Sequence, residues 1–234
     1  CSFFHMKCAI MQPHYFPWSG YFNLMSKVET YVFLDNVQFS KNSWQSRNQI
    51  IINDQKKWIM IPLKKSPLNT NIKDKLIDYS KKWQSKIFKT IIQNYKNYPF
   101  IKDLEELMVF STNIKLLNLS DYNIEILKFL SFKLNIKVEF IKSSDLNVKK
   151  ERTQKVVEIL EKVKATEYLS PIGAKEYLHK DGFNEITKIK LLFNDYKNKP
   201  YNQKDSKNFV PSLSIIDLIA NLGWTSASHH VKFG

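Results

Sequence analysis

Strand-like and helix-like segments alternate at both ends of this chain, and a helical stretch fills its middle, an order that few architectures accommodate. Lys7 to Gln12, containing KCAIM, is apolar, too short for a helix and ended by Pro13, so it reads as a buried strand. Gly20 to Lys27 follows as one or two helical turns with Ser19 as N-cap. TYVFLD, Thr30 to Asp35, is β-branched and aromatic and reads as a second strand with a carboxylate at its C-terminal end. QIIINDQKKWIMIPL is expected to fold back on itself about Asn53-Asp54 as a hairpin. KVEFI then returns to strand, and Lys149 to Val163 is an amphipathic helix through Val156, Ile159, Leu160 and Val163. TEYLS, PIGAKEYL and ITKIKLLFNDY give strand, loop with short helix, and strand, and SLSIIDLIANLG is a last helix ended by Gly223. The expectation is an α/β fold with a mostly parallel, Rossmann-like sheet and a helical insertion in the middle of the chain.

That insertion runs from about Leu76 to Leu134. Trp83, Ile87, Ile91 and Tyr95 recur at steps of four and mark one helix face. FIKDLEELMVF and LSDYNIEILKFLSFKL continue the pattern, the latter with Ser120 or Asp121 as its cap. The aromatic residues of this stretch read as core. The domain expectation is therefore residues 6–75 with 135–224 as the α/β domain, 76–134 as a helical subdomain and 225–234 as a tail. The opening CSFFHM resembles a cloning remnant, so Met6 is expected as the native start. Cys8 would then be the sole native cysteine, with no intrachain disulfide.

Hydrophobic content of 43% with 14% aromatic residues excludes a disordered chain. No apolar run reaches the ~20 residues of a membrane span and no signal-peptide pattern is present, so a cytoplasmic protein is expected. The net charge of +14 raises the question of nucleic acid. Its source argues otherwise: only Arg47 and Arg152 are arginines, and the lysines are dispersed among Asn and Ile. Readers of phosphate and base lean on the arginine fork, and no nucleic-acid motif appears. A positive field would instead gather an anionic small molecule such as a sugar-nucleotide.

The stretch MQPHYFPWSGYF, Met11 to Phe22, places five aromatic rings and two prolines directly after the first strand. The prolines restrict the unfolded loop, so its rings can be held without a ligand. In open α/β sheets ligands bind beyond the carboxyl ends of the strands. If strands one and two are parallel neighbours, His14, Asp35, Gln38, Lys41, Arg47 and Asn48 converge there with Tyr15, Trp18 and Tyr21. Flat apolar walls with a few directional polar groups suit a small-molecule pocket. An aromatic plug sealing the sheet end would use the same rings, and a structural salt bridge would use Arg47.

AIMQPHYFPWSGYFNLM, YVFLDNVQFSKNSWQSRNQI, ATEYLSPIGAKEYL, YNQ and PSLSIIDLIANLG, in that order and spacing, resemble the signature blocks of the WbqC-like family from about residue 8 to 223. The resemblance implies a glycine or aminoacyl transferase of bacterial O-antigen (lipopolysaccharide) or other surface-polysaccharide biosynthesis. The strand-one loop is also similar to that of nucleotidylyltransferases and adenylate-forming ligases, whose His-x-Gly-His element handles ATP phosphates. Here the stretch is WSGY, which keeps Gly20 but has Trp18 and Tyr21 where the histidines would stand. A glycine before a helix could still hold an anion on backbone N–H groups.

If an acyl or aminoacyl group passes to an amino-sugar, the amine must lose a proton and an oxyanion must be stabilised. His14 is the best base by type, and Asp35 could orient it or take the proton itself. Arg47 suits a phosphate or carboxylate; Gln12, Gln38 and Asn48 suit hydroxyls or amides; Tyr15 or Trp18 could stack on a base or sugar. Ser170 and Gly173, with Lys175 nearby, form a second candidate anion site, and loop capping would explain the same residues. His14 could equally be a hydrogen-bonded structural histidine. Cys8 reads as inert core, and Asp217 as a buried partner of a sheet-end polar group rather than a catalytic group. No metal-ligand spacing is present. No cofactor is fixed; a nucleotide or an acyl donor (acyl-CoA, carrier-bound thioester or ATP) fits. A nucleotide-dependent ligase or nucleotidyltransferase and a non-catalytic binding protein are the other classes.

Overall fold

The computed structural model describes residues 6–204 and 206–234. The expected remnant at residues 1–5 lies outside the described residues. In chain order the elements begin β1 (Lys7–Met11), α1 (Ser19–Met25), β2 (Thr30–Phe33), β3 (Arg47–Ile52) and β4 (Gln55–Met60). Three long helices follow: α2 (Trp83–Tyr95), α3 (Ile101–Asn113) and α4 (Leu119–Lys133). Then come β5 (Glu139–Lys142), α5 (Arg152–Lys162), β6 (Glu167–Pro171), α6 (Lys175–Lys180), α7 (Phe183–Ile186), β7 (Lys190–Asn194) and α8 (Ile215–Phe233). The described residues up to Gln12, with Asn23–Asn36 and Lys137–Tyr196, form one compact unit. Pro13–Phe22, Val37–Ile136 and Lys197–Gly234 form a second.

The first unit is the α/β part. Its sheet has five strands, every neighbouring pair parallel, in the order β5-β2-β1-β6-β7. Successive side chains alternate across a strand. Cys8, Ile10 and Val32 therefore share a face, packed with Val156 and Leu160 of α5, Leu178 of α6 and Phe183 of α7. Tyr31, Phe33 and Phe140 occupy the opposite face, with the rings of Phe33 and Phe140 stacked at 5.3 Å. Strands apolar on both faces suit a fully parallel sheet. The chain steps outward from β1 to β2 to β5, then returns to the other side of β1 for β6 and β7. The direction of winding thus reverses between β1 and β6.

The second unit holds the helices together with the β3–β4 hairpin. Asn53 and Asp54 both take positive φ (52° and 59°), the turn geometry that continues the right-handed twist of two antiparallel strands. At α4 the cap differs from the expectation. Asn118 precedes the helix without a side-chain cap, and Ser120 and Asp121 lie within the first turn. The boundary is set by tertiary bonds: Leu119 N–H donates to Lys75 O, and Asn118 Nδ2 donates to Lys73 O. The C-terminus differs as well. Gly223 breaks the helical path (φ 68°, ψ 173°), but of residues 225–234, expected as a tail, 225–233 run on as helix. Ala227 and Val231 are buried there, which supplies the burial that a tail would lack. A side-chain carbon on Gly223 would overlap the ring of Phe100, so steric room and positive φ both require glycine. Among the described residues no helix is long and apolar enough to cross a membrane.

Candidate functional site

In the second unit the aromatic loop is tied down by its carbonyls. Asn48, on β3, donates through Nδ2 to the carbonyls of Tyr15 (3.0 Å) and Phe16 (2.8 Å). Asn123, on α4, donates to Pro13 O (3.0 Å) and Gln45 O (2.7 Å). Ser214 Oγ, at the start of α8, donates to Phe16 O (2.8 Å), and Ile215 N–H donates to Pro17 O. Three elements thus fix the loop, and they hold Phe16 at a positive φ of 41°. A bulky residue in that region is strained and persists only where its surroundings determine it.

Several expected ligand contacts are therefore committed to the protein. Tyr15 is 1% exposed, with its ring 4.6 Å from that of Phe16; it is core and offers no stacking face. Asn48 spends both Nδ2 donors on the loop and its Oδ1 on Gln49 N–H, so it reads no substrate hydroxyl. A side-chain carbon at Gly20 would overlap the six-membered ring of Trp18, so that glycine makes room for the indole and not for a phosphate. Tyr21 is buried beside His14, the two rings 5.4 Å apart. Among the described residues no hydrogen bond reaches either nitrogen of His14. Burial lowers its pKa to about 4, so the imidazole is neutral at pH 7. Gln38 is exposed and donates to Leu68 O, and Lys41 is exposed.

Arg47 lies with its guanidinium carbon 4.1 Å from the ring centre of Trp58. No ion pair to it is found among the described residues, and its buried Nε lacks an acceptor. It is a stacked cation, not a structural salt bridge. Asp217, on α8, is 1% exposed and accepts hydrogen bonds from Tyr201 Oη (2.7 Å), Tyr95 Oη (3.3 Å), Gln203 Nε2 (3.3 Å) and Asn221 Nδ2 (3.4 Å). Burial outweighs these donors and raises its pKa to about 6. Its partners are tyrosines and amides of the helical unit, where a sheet-end polar group was expected.

In the first unit the candidates stand at the carboxyl ends of the strands. Asp35, just past β2, accepts from Ser143 Oγ (3.0 Å) and Ser144 N–H (2.9 Å) at Oδ1, and from Ser144 Oγ (2.7 Å) at Oδ2. It clasps the ends of β2 and β5. Gln12 follows β1 and Ser170 lies near the end of β6, its hydroxyl buried. Gly173 is exposed, with open space where a side chain would extend. Lys175 Nζ lies 5.7 Å from the ring centre of Phe193. Cys8 is buried, which pushes its thiol up to about 12 and leaves it inert. Of the sequence candidates, Gln12, Asp35, Ser170, Gly173 and Lys175 belong to this unit, and the other nine to the second.

The sequence profile of the WbqC-like protein family matches residues 12–229. The chain belongs to this family. It is also 28% identical over 219 residues to "Uncharacterized protein Rv1507c" of Mycobacterium tuberculosis (strain ATCC 25618 / H37Rv), covering 93% of this chain and 94% of that protein. No solved structure matches.

The geometry gives this WbqC-like chain several residues that sequence reasoning passed over. Asn123, Ser143, Ser144 and Ser214 make the bonds that hold the loop and the strand ends. Asn123 had a signal, an amide on the buried face of an apolar helix. Ser143 and Ser144 had none, because their partner stands 108 and 109 residues away. The YNQ block supplies Tyr201 and Gln203, two of the four donors to Asp217.

Proposed function

We propose that this WbqC-like protein is an acyl- or aminoacyl-transferase that modifies an amino-sugar carried on a nucleotide, in the assembly of a bacterial surface polysaccharide such as O-antigen. One observation carries the nucleotide half of this reading: the winding reversal between β1 and β6. Such a reversal opens a crevice beyond the strand ends, the general site of nucleotides in doubly wound sheets. Gln12 and Ser170 stand there, followed by the open Gly173 and the exposed Lys175, which has no ion-pair partner among the described residues. An amide, uncovered backbone and a cation suit a diphosphate and its sugar. In the transfer step the sugar amine attacks the donor carbonyl, the leaving group departs and the amine proton passes to a base. Within the same unit Asp35 holds the ends of β2 and β5 together. A cytoplasmic location goes with this reading.

The strand order equally favours a second reading, a nucleotide-dependent ligase or nucleotidyltransferase. Against it stand Trp18 and Tyr21 in place of phosphate-handling histidines, and the indole that fills the space at Gly20. Incubation with nucleotide-linked amino-sugars and acyl donors, read by mass spectrometry, separates the readings. The first expects an N-acylated sugar-nucleotide formed without ATP and lost in Lys175→Gln. An ATP-dependent product supports the second, and no product with any donor leaves a binding protein.

A further inference from the structure

The hairpin of the second unit and the turn that leads into it expose large apolar side chains. Trp44 is 45% exposed, Trp58 42% and Met60 51%. Trp58 and Met60 are two residues apart on β4 and so share a face. A clustered apolar surface of this kind marks a binding surface more often than chance exposure does. Beside it opens a cavity of about 490 Å³, within the range of small-ligand sites, lined among others by Trp58, Met60, Trp83, Lys81, Lys86 and Thr90.

Three features define what fits. The rings of Trp44 and Trp58 lie 5.6 Å apart and tilted by 39°, too close for a flat base to enter between them and suited to the C–H face of a sugar ring. Arg47 backs Trp58 at 4.1 Å, which fixes the indole in place. Lys81 and Lys86 form no ion pair among the described residues. Asp78, the carboxylate of the preceding turn, is hydrogen-bonded by Ser80 Oγ (2.6 Å) and Ser80 N–H (3.1 Å), and Lys81 acts on it only as a nearby charge. Trp83, in the cavity wall, keeps an indole N–H without an acceptor among the described residues.

We infer that this cavity binds an acidic saccharide, with a pyranose ring seated on Trp58 and its carboxylate or phosphate on Lys81 and Lys86. The inference goes beyond the nucleotide reading and does not depend on it, since every group it uses belongs to the hairpin and α2 region. The test follows the indole N–H resonances of Trp58 and Trp83 by NMR in the full chain. The titrants are a glucuronic-acid disaccharide, its neutral glucose counterpart, and uridine diphosphate alone. The acidic disaccharide should shift both signals saturably, with millimolar affinity, and about three- to tenfold more tightly than the neutral sugar. Lys81→Gln with Lys86→Gln should erase that preference, and Trp58→Ala should abolish binding of both sugars while the remaining spectrum stays native. Failure of either sugar to shift these indoles would overturn the proposal. So would a preference for acid that survives loss of both lysines, or a response to the nucleotide alone.

Discussion

Two titratable groups in the second unit, the half-buried His14 and the buried Asp217, respond to pH in opposite senses. His14 refuses a proton until about pH 4, whereas the unfolded histidine accepts one near 6.5. The native state therefore loses stability as pH falls from 6.5 to 4, on the order of 3 kcal/mol in all. Asp217 keeps its proton up to about pH 6, whereas the unfolded carboxyl loses it near 3.8. Its contribution is complete below 3.8 and is lost as pH rises through 6, again on the order of 3 kcal/mol. The two slopes offset each other in the wild type. Urea unfolding at pH 4, 5, 6 and 7 should therefore show His14→Gln losing stability relative to wild type as pH rises, and Asp217→Asn gaining it. Both variants tracking the wild type across that range would contradict the two assignments. Residue type nominated His14 and flagged Asp217 as buried, but the donors that meet Asp217 from Tyr95 and Tyr201 depend on chain crossings that no local pattern carries.

At the scale of elements, the aromatic loop is a strapped structure. Asn123→Ala removes two donors from buried carbonyls and should cost about 2–3 kcal/mol, read by urea unfolding. Asn123→Asp should cost more, because it turns an acceptor toward the same carbonyls; equal losses would speak against the strap. The strands β1, β2 and β6 were legible because strands buried on both faces are short, unbroken apolar runs. The hairpin was legible from Asn53-Asp54, two residues that tolerate positive φ. The start of α4 was not, since Asn118 is placed by bonds to the 73–75 segment and not by a local cap. The continuation of α8 was not either: a glycine of positive φ ordinarily ends a helix, and here it redirects one. The same logic applies to the site. Sequence pointed to the loop and to the strand ends, but it could not tell which polar groups fold consumes. Asn48 and Tyr15 went to the protein, whereas Arg47 has no ion-pair partner among the described residues.

For the whole molecule, the decisive feature is the order of the sheet. A chain that reverses its winding between β1 and β6 leaves the ends of those two strands as the place proposed for the nucleotide. A ligand bound there stabilises the native state by mass action, and at a hundredfold excess over Kd it should raise Tm by about 5–10 °C. Location is more telling than stabilisation. Amide hydrogen exchange with and without saturating sugar-nucleotide measures it directly. Slowed exchange in the 170–175 loop, and its loss in Lys175→Gln, is the result expected. Unchanged exchange in that loop under a nucleotide that does raise Tm would contradict the assignment of the site.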